Sequence, residues 1–173
     1  FLIGPVGLDS GAVAGVLFMY GGAGAIGVVL AGLLVDRFPR LALAVSLGGI
    51  IAAVTIIGLV PHNPWVVLPA MFAWSVAFGG IPSMVQTRML HTASARMRDV
   101  ASAYQTTAFN IGIGGGALIG GIVLDVWSIT ALPFVDIAIT VTALVLLLAG
   151  DRWLHARAMR SRPTPTEPVP TVG

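Results

Sequence analysis

Cysteine and lysine are both absent from the sequence. Without cysteine the chain has no disulfide, no thiolate metal site and no iron–sulfur ligand set. Charge of either sign is scarce: Asp, Glu, Lys and Arg together make up 9% of the residues, against about 25% in a soluble domain. That leaves too little polar surface to cover a globule in water, whereas an exterior facing lipid needs none. The basic residues are all arginine, which fits a GC-rich bacterial genome. They lie in short clusters beside apolar runs, with no continuous basic face or aromatic platform, and this speaks against nucleic acid as a partner. No basic flank precedes the first apolar stretch, as a signal peptide would require, and the chain opens at Phe1 rather than Met. The expectation is therefore a fragment truncated at its N-terminus.

Sites for chemistry are missing as well. His62, His91 and His155 lie in loops or past a span end and share no ligand spacing. There is no glycine-rich phosphate loop with a lysine, no nucleophile–His–acid set and no paired-acid site. The sequence thus predicts no enzyme activity, no catalytic residue, no metal and no cofactor.

What the sequence does contain is apolar length. Hydrophobic residues make up 57% of it, and a membrane helix needs about 20 mostly apolar residues to cross the bilayer. Five stretches qualify, roughly 11–35, 41–60, 65–85, 100–126 and 129–150. They are longer than barrel strands and apolar on every face, so they predict an all-α membrane protein rather than a β-barrel. Residues 1–10 read as the extracellular end of a preceding helix and a loop, 11–152 as the membrane domain, and 153–173 as an arginine-rich segment followed by a proline-rich tail. The tail from Ser161 to Gly173 holds four prolines and little to bury, a composition that predicts disorder.

The arginines give these spans a direction. Arg37 and Arg40 follow the first span, Arg88, Arg96 and Arg98 lie between the third and fourth, and Arg152, Arg157, Arg160 and Arg162 follow the fifth. Every arginine falls on one side of an alternating path. Positive charge is retained on the cytoplasmic side, which predicts an inner-membrane protein with its N-terminus outside and its C-terminus in the cytoplasm. Trp65, Trp127 and Trp153 sit at span ends, where aromatic rings favour the headgroup zone.

The first and fourth spans resemble one another. Aligning Asp36 with Asp125 also aligns Tyr20 with Phe109, Gly27 with Gly116 and Gly32 with Gly121. Since the two spans point opposite ways, this is the pattern of an inverted repeat. Gly112, Gly116 and Gly120 recur every four residues and make a smooth stripe, and Gly27 with Ala31 does the same in the first span. Small residues let helix backbones approach in lipid, so Gly27, Gly112, Gly116 and Gly120 are expected at helix contacts. A sliding surface during transport is a compatible second role.

Polar groups within spans come next. Tyr20, Trp74, Gln105 and Asn110 should each face protein or a watery cavity, because an unpaired polar group in hydrocarbon is costly. They are candidates for lining a solute path, with helix–helix hydrogen bonding or packing as the plainer alternative. Asp136 is the acid well inside a span, which makes it a candidate proton site. The plainer reading, an acid near the outer headgroup zone, is preferred: Asp136 lies only about 10 Å along the helix from Ile129, and Pro133 could mark the helix start.

On these residues the chain resembles the major facilitator superfamily. Gly32-Leu33-Leu34-Val35-Asp36-Arg37-Phe38-Pro39-Arg40 matches that family's cytoplasmic loop pattern, G-x-x-x-D-R-x-x-R, in its C-terminal-half copy. Val85-Gln86-Thr87-Arg88, Ala108 to Gly112 and Gly116 to Gly121 are similar to the arabinose-efflux and drug–proton antiporter branch. The resemblance covers Phe1 to Arg152. It implies the last five helices of a twelve-helix transporter, belonging to a pair of inverted three-helix units, with the N-terminal half missing. It further implies that Gly32, Asp36, Arg37 and Arg40 form a gating loop, and that the lipid bilayer, a small solute (a drug or sugar) and protons are the partners. The competing expectations are a truncated, non-transporting remnant, or a partner for a separately encoded N-terminal half. A channel is least favoured, as no ring-forming selectivity sequence appears.

Overall fold

The computed structural model describes residues 1–38 and 41–160. Among them there is no strand. The helices are α1 (Ser10–Arg37), α2 (Ala42–Leu59), α3 (Pro64–Gly79), α4 (Ile81–Thr92), α5 (Arg98–Val126) and α6 (Leu132–Arg160). Short 3₁₀ turns, Ala95–Met97 and Ile129–Ala131, lead into α5 and α6. Five helical stretches are long and apolar enough to span a membrane, with α3 and α4 together forming the third. A helix satisfies its own backbone polar groups, which is what permits such segments in hydrocarbon. Thr55, Thr106 and Thr142 also turn their hydroxyls back onto the carbonyls of Ile51, Ser102 and Ala138 four residues earlier.

Helix ends follow local chemistry. Asn63 caps α3 by accepting a 3.1 Å hydrogen bond from the Trp65 amide, and Pro64 occupies the first turn, where its missing N–H is no loss. Arg37 stands in the last turn of α1, where a cation opposes the negative end of the helix dipole. α6 starts at Leu132, with Pro133 just inside, three residues later than the apolar run suggests, and it runs on to Arg160.

The third span departs most from the expected uninterrupted helix. It breaks at Gly80, which caps both α3 and α4, and Pro82 lies in the first turn of α4. Its continuation reaches Thr92 rather than ending near Val85.

Packing is a layered row. α1 packs on α3, α3 on α2, and α2 on α6, while α4 touches α1, α2 and α5. The buried residues are mostly small, with Ala23, Ala31, Ala42 and Ala53 nearly inaccessible, as expected where helices associate by close approach rather than by a hydrophobic drive. Two apolar clusters mark the two ends of the bundle. Val6, Ile57, Val67 and Ala70 close the end near the N-terminus, and Ala31, Ala42 and Met84 close the other. α5 is the least enclosed, with 6% of its most apolar stretch buried against 33% for α2.

Candidate functional site

The α1–α3 crossing is the tightest contact in the described residues, and it brings the first candidates together. Gly27 lies against the Val76 backbone, where an added Cβ would stand 3.0 Å from the carbonyl carbon. Gly79 meets Gly24 backbone to backbone, and Gly80 meets Gly27 and Ala31. This close approach positions two aromatic candidates. The Tyr20 and Trp74 rings stand 5.5 Å apart at a tilt of 54°, a separation suited to aromatic attraction. Ser75, buried beside them, donates a 2.6 Å hydrogen bond to the Tyr20 carbonyl. Ser75 was not among the residues singled out from the sequence. One serine in an apolar run carries no signal until its neighbour is known.

Asp136 lies one turn into α6, about 6 Å along the helix from Leu132. It is half-buried and accepts a 3.2 Å hydrogen bond from the Thr140 hydroxyl.

Gln105 and Asn110 lie elsewhere. Gln105 on α5 donates a 3.2 Å hydrogen bond to the Pro82 carbonyl, using an acceptor at the start of α4. It lines a cavity of about 420 Å³ between α4 and α5, together with Tyr104, Phe109 and Met89. Asn110 is exposed on α5. The four lining candidates thus form one aromatic pair, one residue in a separate cavity, and one on an open helix face.

The glycine candidates divide in the same way. Gly27 is packed against backbone, but Gly112 and Gly116 have no atom within 4 Å of the position a Cβ would take, and Gly120 reaches only Leu132 at 4.0 Å. Identical residue types at similar spacing are therefore closed on α1 and open on α5, because among the described residues no helix packs against that side of α5.

At the arginine-bearing end, Gly32 is open, Asp36 is exposed, and the Arg37 guanidinium lies 5.9 Å from the centroid of the Phe38 ring. Arg40, the remaining loop candidate, and the proline-rich tail lie outside the described residues. Asp36 borders a cavity of about 540 Å³ shared with Thr87, Arg88 and His91. Arg88 also forms an ion pair with Asp151 of α6. That partnership spans 63 residues of sequence. In sequence Arg88 reads as a topological charge and as the end of the Val85-Gln86-Thr87-Arg88 stretch, and neither reading points to Asp151. Among the described residues, no group of three or more His, Asp or Glu is placed to hold a metal ion.

Comparison with known proteins adds an independent finding. The family model described as Major Facilitator Superfamily matches residues 2–172. Among curated proteins, the chain is 32% identical over 131 residues to a "Probable sugar efflux transporter" of Helicobacter pylori (strain ATCC 700392 / 26695), covering 76% of this chain and 33% of that protein. It is 30% identical over 128 residues to one so named in Helicobacter acinonychis (strain Sheeba), covering 74% and 32%. It is 30% identical over 137 residues to one in Pasteurella multocida (strain Pm70), covering 77% and 33%. The chain thus spans about a third of the length of these relatives. No solved structure matches it.

Proposed function

The chain belongs to the Major Facilitator Superfamily, and from that premise we propose that it forms the C-terminal part of a transporter that moves a small organic solute across a cell membrane. The observation that carries this reading is the family match over nearly the whole chain, joined to five helices long enough to span a bilayer. Efflux of a sugar is the favoured form, since relatives at about 30% identity bear that name. The Tyr20–Trp74 pair supplies the kind of aromatic surface on which the apolar face of a sugar ring packs, and an amide such as Gln105 can both donate to and accept from hydroxyls.

Further parts of the reading rest on charge. The arginine bias supports a cytoplasmic location for the α1–α2 and α4–α5 connections and the C-terminus. Gly32, Asp36, Arg37 and Arg40 act as a gating loop, and helix-end interactions and ion pairs supply its two arrangements. Protons are the coupling ion, with Asp136 a secondary candidate for carrying one. The open glycine face of α5 and the exposed apolar residues of α1, Phe18 and Leu17 among them, fit contact with lipid or with an N-terminal half.

The test is solute flux in proteoliposomes holding the full-length protein under an imposed pH gradient, against a panel of sugars and lipophilic drugs. Sugar movement driven by the gradient is expected. Failure of every solute to move, in protein correctly inserted and folded, would leave the remnant reading standing in its place.

A further inference from the structure

Three hydroxyl side chains are buried among the described residues: Ser46, Ser75 and Thr140. Two have partners. Ser75 donates to the Tyr20 carbonyl, and Thr140 to Asp136. Ser46, near the start of α2 and 7% exposed, makes no hydrogen bond among the described residues. A hydroxyl taken out of water without a partner is unfavourable, so what Ser46 faces matters.

It borders a recess of about 370 Å³. α3 forms the floor of the recess, and α1 and α2, which each pack on α3 but scarcely on one another, form its walls. Gly27 and Ala31 line one wall, Gly49 stands beside Ser46 in the other, and Phe72 and Ala77 lie in the floor. Both walls are held close to the floor. Gly27 lies against the Val76 backbone, and a Cβ added to Gly49 would stand 3.2 Å from the Ala77 Cβ. The recess is thus preformed, and filling it requires no reordering of the helices. Leu30 and Val45 at its rim are exposed, so it opens sideways, where hydrocarbon surrounds a membrane span. Neither Tyr20, Trp74, Gln105 nor any charged residue borders it.

Size and chemistry narrow the occupant. A cavity of about 150 Å³ is enough for benzene, so this recess suits a molecule somewhat larger, extended over the roughly 10 Å of helix between Gly27 and Leu34. The lining offers a charged molecule no counter-charge. A phospholipid tail would match the carbon but leave the Ser46 hydroxyl unpaired, and no cation is present for its phosphate. We propose that the recess between α1 and α2 binds a small neutral amphiphile from the bilayer, hydrocarbon except for one hydroxyl, whose oxygen pairs with Ser46. An alkylphenol or a medium-chain alcohol has this form, and Phe72 provides an aromatic edge for the former. The bound molecule fills the gap between two helices that touch little without it. It acts on the helix arrangement and does not compete with a solute at Tyr20 and Trp74.

The test needs no transported solute. The full-length protein in phospholipid membranes is photolabelled with a diazirine-bearing alkylphenol, and the labelled residues are mapped by peptide mass spectrometry. Saturable labelling is expected at Leu30, Val45 and Phe72. Para-pentylphenol should compete about fivefold better than pentylbenzene at equal mole fraction in the bilayer, the worth of one neutral hydrogen bond. Ser46→Ala should abolish that preference while labelling persists. Ala73→Leu, which fills the recess from its floor, should lower labelling at least fivefold. Labelling that is not saturable, or that falls outside these walls, overturns the site. Equal competition by pentylbenzene means that the recess accepts any hydrocarbon, a lipid tail included, and overturns the proposed chemistry. A preference that survives Ser46→Ala means that the hydroxyl serves only its own helix, and it overturns the pairing. Absence of labelling would leave the proposed transport untouched, and failure of transport would leave the labelling result intact.

Discussion

The Ser75 hydroxyl and the Tyr20 carbonyl, 55 residues apart in sequence, meet at 2.6 Å and join α3 to α1. Ser75 is 2% exposed, so the bond is made away from any competing water. Replacing Ser75 with Ala should cost about 0.5–1.5 kcal/mol, the net worth of one such hydrogen bond. Reversible unfolding in mixed micelles measures this. Ser75→Leu should cost more, because Gly24 lies close by and leaves no room for the larger side chain.

The Gly27 and Gly79 contacts predict a sharper loss. A side chain at either position would collide with backbone rather than with a movable side chain. Gly79→Leu or Gly27→Leu should destabilise the fold by about 1–3 kcal/mol or more, as overpacking does, and lower the melting temperature in detergent. Gly114→Leu, at a position with open space around it, should change stability within this chain by less than about 0.5 kcal/mol.

Removal of the α3 cap gives a local effect. Asn63→Ala deletes the acceptor for the Trp65 amide and should cost about 1 kcal/mol. Hydrogen exchange should show faster opening of the first turn of α3, with α2 and α6 unchanged.

For the proposed function, Trp74→Ala should raise the KM for sugar about tenfold through loss of aromatic contact, while Asn110→Ala, on the exposed face of α5, should change it less. The measurement is initial flux against sugar concentration. Asp36→Asn should slow cycling and leave membrane insertion intact, which flux and surface level, measured in parallel, will separate.

These expectations draw unequally on sequence and structure. Membrane crossing was legible because the bilayer imposes one demand, apolar length, that a single stretch must meet alone. Helix contacts were not, since they depend on what stands opposite. Gly27 and Gly116 align in the internal repeat, yet the first is pressed against Val76 and the second faces open space. The break at Gly80 was hidden for a different reason. Hydropathy runs through Phe78-Gly79-Gly80-Ile81-Pro82 without a dip that marks a boundary, although the glycine pair followed by proline was a visible sign of bending. Arg88 was read as a charge that fixes orientation, and nothing in the chain near it points to Asp151. Of the lining candidates, Tyr20 and Trp74 meet in the fold while Asn110 stands apart, a distinction that composition cannot make.

The crossing of Gly24 and Gly27 with Gly79 and Gly80 has a thermal consequence. It is built largely from main chain, and glycine has no rotamers to freeze when the helices come together. Forming the contact therefore costs no side-chain entropy at those positions, whereas a contact between long side chains pays that penalty in proportion to temperature. As the protein is warmed, contacts made by flexible side chains should loosen first. The α1–α3 crossing should be among the last places in the bundle to come apart.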